Sequence, residues 1–409
     1  MELSTDIYLL GTTLLVVVSI LLEPVAARLG APLLLLFLGL GMLLGEDGPG
    51  GINFDSFEVA YHLGSLALAV ILLSGGLDTP VADLKRAAGP AFMLATVGVL
   101  LTATIVGAAA SFLFAVPLTH GLLLGAVVGS TDAAATFLLL GQRGIRLRGR
   151  IRETILVESG INDPMAIFLT LTFVGIVETG ALLDAGALPD LAGAFAWQLG
   201  LGFLIGSAGG FLLAQIVERV RFSRGLYAPF CLAGALAIYE VTRLSGASGF
   251  LAIYLIGLVV SWRVRHARER IIQFHEGVAW LSQILMFVML GLLVTPSHLG
   301  PALLPALALA MVLMFVARPA AVLICLTPFR FPLRDQMFVG WVGLRGAVPI
   351  FLAIIPVISP GPLTVTFFNI VFVIVMVSLI LQGWTIARAA KRLGVEDQSE
   401  APPAPVRTS

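Results

Sequence analysis

A chain of 409 residues with 24 basic and 24 acidic side chains is 58% hydrophobic and only 12% charged, whereas soluble domains carry about 25% charged residues. With a mean hydropathy of +1.02, that balance excludes a soluble globular protein. Zero net charge also removes any global attraction to nucleic acid.

The N-terminus is acidic at Glu2 and Asp6 and lacks the positive region of a signal peptide, so the first apolar run, 7–22, reads as a retained span. Further apolar runs, bounded by charges or by Gly and Pro, fall at 31–45, 61–79, 91–116, 121–141, 154–177 and 195–217, then at 226–241, 249–262, 278–294, 302–326, 337–358 and 363–384. The predicted fold is therefore an all-α polytopic membrane protein of about thirteen transmembrane helices. Cys231 and Cys325 lie inside these runs, with no spacing that suggests a metal site or disulfide framework, and read as small buried residues.

Alternate loops carry the basic residues: Arg28; Lys85 and Arg86; Arg143 to Arg152; Arg219 to Arg224; Arg263 to Arg270; Arg330 and Arg334. The loops between them are acidic or neutral, with Glu46, Asp47, Asp55 and Glu58, then Glu178, Asp184 and Asp190; only Arg243 departs. By the positive-inside rule the N-terminus faces outward and the C-terminus lies in the cytoplasm. A miscounted span would have scrambled this alternation. Residues 1–392 are read as one membrane domain and 393–409, polar and Pro-rich, as a disordered cytoplasmic tail.

Thirteen spans divide as six, one and six, and an offset of seven matches the fifth with the twelfth in opposite orientations. Both have an irregular centre, VVGSTDAAAT and WVGLRGAVPI. Interrupted spans at corresponding positions of two halves point to a transporter's binding site.

Charges inside spans cost ~2.5–3.5 kcal/mol or more each and mark ion or proton pathways. At a rise of about 1.5 Å per residue, Asp163 and Arg345 lie roughly 12–14 Å from one face and Asp132 roughly 16 Å from the other. Three charges on three helices thus converge on one depth. Glu158 and Arg318, nearer the cytoplasm, read as an ion pair that joins helices.

Within VESGINDPMAIFL, Ser159 and Asp163 are four apart and share a helix face, as do Glu158 and Asn162. Pro164 has no N–H for the Gly160 carbonyl, and Pro349 none for the Arg345 carbonyl. The patch thus offers hard oxygen ligands for a small monovalent cation, and Thr131 in the irregular fifth span can add a backbone or hydroxyl oxygen. Broken helices also expose dipole ends; Asp132 suits a positive N-terminal end and Arg345 a negative C-terminal end. His62 and His120 read as interfacial, and Gln198, Gln215 and Gln283 as bonds between helices. The arginine loop 143–152 is topogenic first and a lipid contact second.

Desolvation favours the protonated form of a buried carboxylate, whereas a bound cation favours the ionised form. A single site on Asp163, exposed alternately to each side, would exchange proton for cation, and with neutral Asn162 beside it one-for-one electroneutral exchange is the natural inference.

The motifs VESGINDPMAIFL, GSTDAAATFLLL, FVARPAAV and GWVGLRGAVPIFLA together resemble monovalent cation/proton antiporters of the NhaP and NHE type, closest to their bacterial potassium/proton branch. The resemblance covers essentially all the spans. It implies an NhaA-like fold, two inverted six-helix repeats with crossed broken helices, and a homodimer in the cell inner membrane. It also implies a role in pH homeostasis, with K+ or Na+ and H+ as cargo and no cofactor. Residue by residue, it implies that Asp163 carries cation and proton, helped by Ser159, Thr131, Asp132 and Asn162. Arg345 matches the arginine of the second broken helix, and Glu158 with Arg318 the structural ion pair. Two departures stand out. Many relatives place a carboxylate in the third span where this chain has Ser74, with Asp78 a turn later. Potassium-type relatives often carry a cytoplasmic domain after the last span, and this sequence stops before one, so either regulation differs or a domain has been cut away.

Three rivals make different demands. A cation channel needs a continuous pore and no proton exchange. A sodium-coupled organic solute symporter needs a second cation site and a larger polar cavity. A membrane protease is weakest: there is no HExxH, and His275–Glu276 is expected in a loop.

Overall fold

The computed structural model describes residues 13–22, 24, 32–180, 188–361 and 363–397. Residues 7–12 of the first expected span, Arg28, Asp184 and residues 398–409 lie outside them. The helices are α1 (Thr13–Leu22), α2 (Leu33–Leu44), α3 (Phe57–Asp78), α4 (81–114), α5a (Leu118–Val127), α5b (Ala133–Gly141), α6 (Gly149–Thr179) and α7 (Leu188–Arg219). They continue as α8 (Tyr227–Leu244), α9 (Gly249–Arg263), α10 (Arg268–Leu292), α11 (300–326), α12a (Leu333–Trp341), α12b (Ala347–Leu352) and α13 (Val365–Leu393). Among the described residues seven helices are individually long and apolar enough to cross a membrane, and Thr13–Leu22, Leu33–Leu44, Leu118–Val127, Gly249–Arg263 and Ala347–Ile358 are shorter apolar helices.

The helices form two bundles. In one, α4, α5 and α6 pack with α11, α12 and α13; in the other, α2, α3, α7, α8, α9 and α10 pack together. The first bundle thus unites the last three helices of each six-helix half. The halves also share a local irregularity, since α4 and α11 each contain a five-residue π segment, Leu94–Gly98 and Leu313–Ala317. Each π segment packs on the partner helix, 94–98 against the end of α11 and 313–317 against α4. That reciprocity is what an inverted repeat requires.

Backbone contact between helices needs small residues, because lipid gives no hydrophobic drive for helices to associate. Where α4 meets α5a, a Cβ on Gly107 would strike the Leu122 backbone, and one on Gly121 or Gly125 would strike the carbonyl of Gly107 or Ala103. Only glycine permits this approach.

The basic loops meet at one end of the molecule. Arg86 pairs with Glu153 at 3.2 Å, Arg152 with Asp83 at 3.2 Å and Arg148 with Asp335 at 2.7 Å, while Arg150 donates to the Phe329 carbonyl at 2.6 Å. The acidic loop after α2 meets the loop after α10 through Asp47, which accepts from the Ser297 N–H at 2.7 Å. Arg243, the exception to the charge alternation, pairs with Glu240 at 3.0 Å.

Two expectations need correction here. Helix α13 runs to Leu393, one residue into the segment expected to be disordered, and Gly394 at φ +64° turns the chain. Residues 394–397 then pair with the loop before α6: Leu147 and Glu396 form an antiparallel bridge, Arg148 N–H donates to Val395 O at 3.1 Å, and Asp397 N–H to Arg146 O at 2.9 Å. The disorder expectation followed the tail's average composition, but its prolines begin only at Pro402. His275 and Glu276 lie on α10, not in a loop, because the helix begins at Arg268, well before its apolar run.

Candidate ion-binding site

Gly129, Ser130 and Thr131 are poor helix formers, and α5 is interrupted over 128–132. Asp132 caps the second half, its carboxylate accepting from the Ala135 N–H at 2.9 Å, which sets a negative charge at a positive helix end. Helix α12 is interrupted over 342–346. Pro349 does not cause that interruption. It lies in the first turn of α12b, where its N–H would have no partner in any case, and the Arg345 carbonyl is already outside a helix.

The breaks satisfy one another's backbone. Asp132 N–H donates to the Leu344 carbonyl at 2.8 Å, and Thr136 Oγ1 donates to the Val342 carbonyl at 3.3 Å. Arg345 Nη1 donates to the Ser130 carbonyl within the first break, just beyond the C-terminus of α5a, placing positive charge near a negative helix end. A Cβ on Gly346 would collide with the Asp132 carboxylate. Irregular backbone at membrane depth is stable only with such internal partners.

Helix α6 closes the site. It runs unbroken through Pro164. Ser159 Oγ donates to the Thr131 carbonyl at 2.9 Å and accepts from the Ala133 N–H at 3.2 Å. Asn162 Nδ2 donates to Thr131 Oγ1 at 2.6 Å, and Ser130 Oγ donates to the Asp163 carboxylate. Glu158, on the same helix, pairs with Arg318 of α11 at 2.6 Å, both side chains being almost fully buried. Gly343 lets Arg318 approach the second break, since a Cβ there would lie 2.8 Å from its Nε.

A cavity of about 770 Å³ runs from Asp163 to the basic end, where Arg146, Arg152 and Asp397 line it. Its deep wall holds Ser130, Thr131, Asp132, Ser159 and Asp163. The other expected site residues do not line it: Asn162, Glu158, Arg318 and Arg345 are buried behind the wall. Asn162 therefore braces Thr131 instead of facing the cavity. Ser159 reaches the wall, but both of its hydrogen-bonding directions serve the first break. Gln283 faces the cavity instead of bonding a neighbouring helix, and Asp78 lines it as well.

Sequence reasoning passed over three residues. Ser130 carried a signal as the hydroxyl inside the break, but only the fold shows it on Asp163. Tyr254 of α9, buried and on the cavity wall, fills the space over Gly160, where a Cβ would strike its ring; a lone tyrosine in an apolar helix gives no such hint. Gly346 reads as one glycine among 44.

Crossed broken helices of opposite orientation, with a carboxylate at the crossing and a cavity to one face, define a secondary transporter of the inverted-repeat class. Residues 13–392 match the family model for the transmembrane sodium/hydrogen exchanger, and the chain belongs to that family. It is 46% identical over 389 residues to the K(+)/H(+) antiporter NhaP of Alkalimonas amylolytica, covering 95% of this chain and 67% of that protein. It is 28% identical to Na(+)/H(+) antiporter 1 of Methanocaldococcus jannaschii, covering 96% of this chain and 97% of that one. The structure of the sodium proton antiporter MjNhaP1 from the same archaeon superposes with a TM-score of 0.79 at 26% identity, over 98% of this chain and all of that one.

Proposed function

We propose that the protein is a secondary antiporter that exchanges a monovalent cation, K+ or Na+, for protons by alternating access. The observation that carries this reading is the position of Asp163. Its carboxylate lies at the deep wall of a cavity open to one face and touches the first helix break through Ser130. Asp132, the other carboxylate there, is committed to capping α5b. At the deep wall one carboxylate is therefore left to hold a proton or a cation, with Ser130 and the Thr131 backbone as added oxygen ligands. Each occupant disfavours the other, so a site that faces the two sides in turn exchanges them, one for one and without net charge. Neither occupant requires a cofactor.

Each remaining expected residue has a supporting part. Asn162 and Ser159 hold the first break, Asp132 and Arg345 neutralise the exposed helix ends, and Glu158 with Arg318 ties α6 to α11. The two bundles supply a moving body and a scaffold that meet where Tyr254 covers Gly160. Clustering of the basic loops favours a cytoplasmic mouth for this cavity and an inner-membrane protein with an outward N-terminus; assembly as a homodimer in lipid is what the family resemblance implies.

The cavity volume gives some support to an organic solute symporter. The test is flux into proteoliposomes loaded with a pH dye, with K+, Na+ and Li+ added in turn at clamped voltage. Antiport predicts a pH change with K+ or Na+ that does not depend on voltage and is lost in Asp163→Asn. Uptake of an organic anion driven by Na+, or cation flux without any pH change, would overturn the reading.

A further inference from the structure

The second helix break is held from behind. Helix α13 presents Ser378, Gln382 and Thr385, spaced i, i+4, i+7 along one face. The Arg345 N–H donates to Ser378 Oγ at 3.1 Å, and Ser378 Oγ donates to Gln382 Oε1 at 2.5 Å. Gln382 Nε2 donates to the Trp341 carbonyl at 2.8 Å, and Trp341 Nε1 donates to Thr385 Oγ1 at 3.0 Å.

Every bond in this ladder has a forced direction. A backbone N–H can only donate, so Ser378 accepts from Arg345 and sends its own proton to Gln382. A carbonyl can only accept, so the Gln382 amide turns its nitrogen to Trp341. Trp341 is the last residue of α12a, and Arg345 lies within the break. The ladder thus satisfies a backbone group at the edge of the interruption and one within it, as irregular backbone at membrane depth requires. Ser378 and Gln382 are essentially fully buried, and no member of the ladder lines the cavity, so none of them touches cargo.

We propose that Ser378 and Gln382, backed by Thr385, are positioning residues for exchange. By fixing the backbone at Trp341 and Arg345, α13 sets where the Arg345 side chain meets the Ser130 carbonyl, and Ser130 in turn orients Asp163. The relay runs from Gln382 through Ser378, the Arg345 backbone and side chain, and Ser130 to the carboxylate. It rests on the reading of Asp163 as the exchange site. The first break is held in the corresponding way by α6, which matches α13 in the repeat, through Ser159 and Asn162.

The test is cation/proton exchange by the full chain in proteoliposomes, for wild type, Asp163→Asn, Gln382→Met, Ser378→Ala, Ser378→Thr and Thr385→Val. If Asp163→Asn retains wild-type exchange, the site assignment fails first and independently. With that control inactive, Gln382→Met and Ser378→Ala should raise the cation KM about fivefold or more, with kcat changed much less. Their pH profile should be displaced by about half a unit. Ser378→Thr, which keeps the hydroxyl, should restore both. Thr385→Val, at the outer end of the ladder, should show a smaller change in the same sense, and it decides the matter if the inner variants cannot be purified. A lowered melting temperature with unchanged KM and pH profile in these variants would make the ladder merely structural and overturn the proposal.

Discussion

Arg318→Met removes half of a pair that the fold has sealed from water. Glu158 is 1% exposed and Arg318 3% exposed, with a 2.6 Å contact between them. A second bond of 2.9 Å joins Arg318 Nη2 to Glu158 Oε2. No solvent can replace the guanidinium, so the variant keeps an unpaired buried carboxylate, at a cost of about 3–5 kcal/mol. At about 2.1 cal/mol/K of unfolding entropy per residue, that loss lowers the melting temperature of a chain of this length by about 4–6 °C. Glu158→Gln combined with Arg318→Met removes both charges and should recover at least half of the drop. The assay is thermal unfolding of detergent-purified protein followed by intrinsic fluorescence. Because neither side chain lines the cavity or hydrogen-bonds the backbone of either helix break, the cation KM of whatever protein folds should stay within about twofold of wild type. An Arg318→Met protein that melts with wild type, or a double variant no better than the single, would refute the reasoning.

Ser130→Ala removes a hydrogen bond to an ionisable group, worth about 1.5–3 kcal/mol; titration of exchange rate against cation should show apparent affinity weakened about 10–150-fold. Gly346→Ala drives a Cβ into the Asp132 carboxylate and should cost about 1 kcal/mol through the lost cap, with exchange reduced more than stability when both are measured on one preparation. Gly160→Ala pushes against the Tyr254 ring and should slow exchange; trimming the ring with Tyr254→Ala in the same protein should restore it, as initial rates will show. The Ser297 N–H holds the Asp47 carboxyl below its ordinary 3.8, so that loop contact is fully present above 3.8 and fails only as pH falls through the lowered value. Amide exchange at Ser297 should stay slow down to that point, relative to an Asp47→Asn control.

Much of the fold could be read from the sequence because a membrane imposes it: an apolar run long enough to span must be a helix, and the arginine loops sort to one side. The two interruptions were legible for the same reason. GSTD and GLRG put residues that disfavour a helix where only a helix is expected, and the Glu158–Arg318 pair follows from two opposite charges at similar depth. What stayed hidden depends on rotation about helix axes. Asn162 and Asp163 are adjacent in sequence, yet one faces the packed interior and the other the cavity. Residues on α13 read as ordinary span residues until the fold sets them against the break. The chain's turn at Gly394 rests on backbone pairing with 146–148, which composition does not encode.

The most direct measurement of the central claim needs no membrane. Purified protein in weakly buffered detergent solution, at a pH where exchange is active, is titrated with K+ or Na+ while released protons are counted. If Asp163 is held by either a proton or a cation, saturating cation should release close to one proton per chain at pH values where the carboxyl begins protonated, and Asp163→Asn should release none. Cation binding without proton release, or the same release from the Asn variant, would contradict the account.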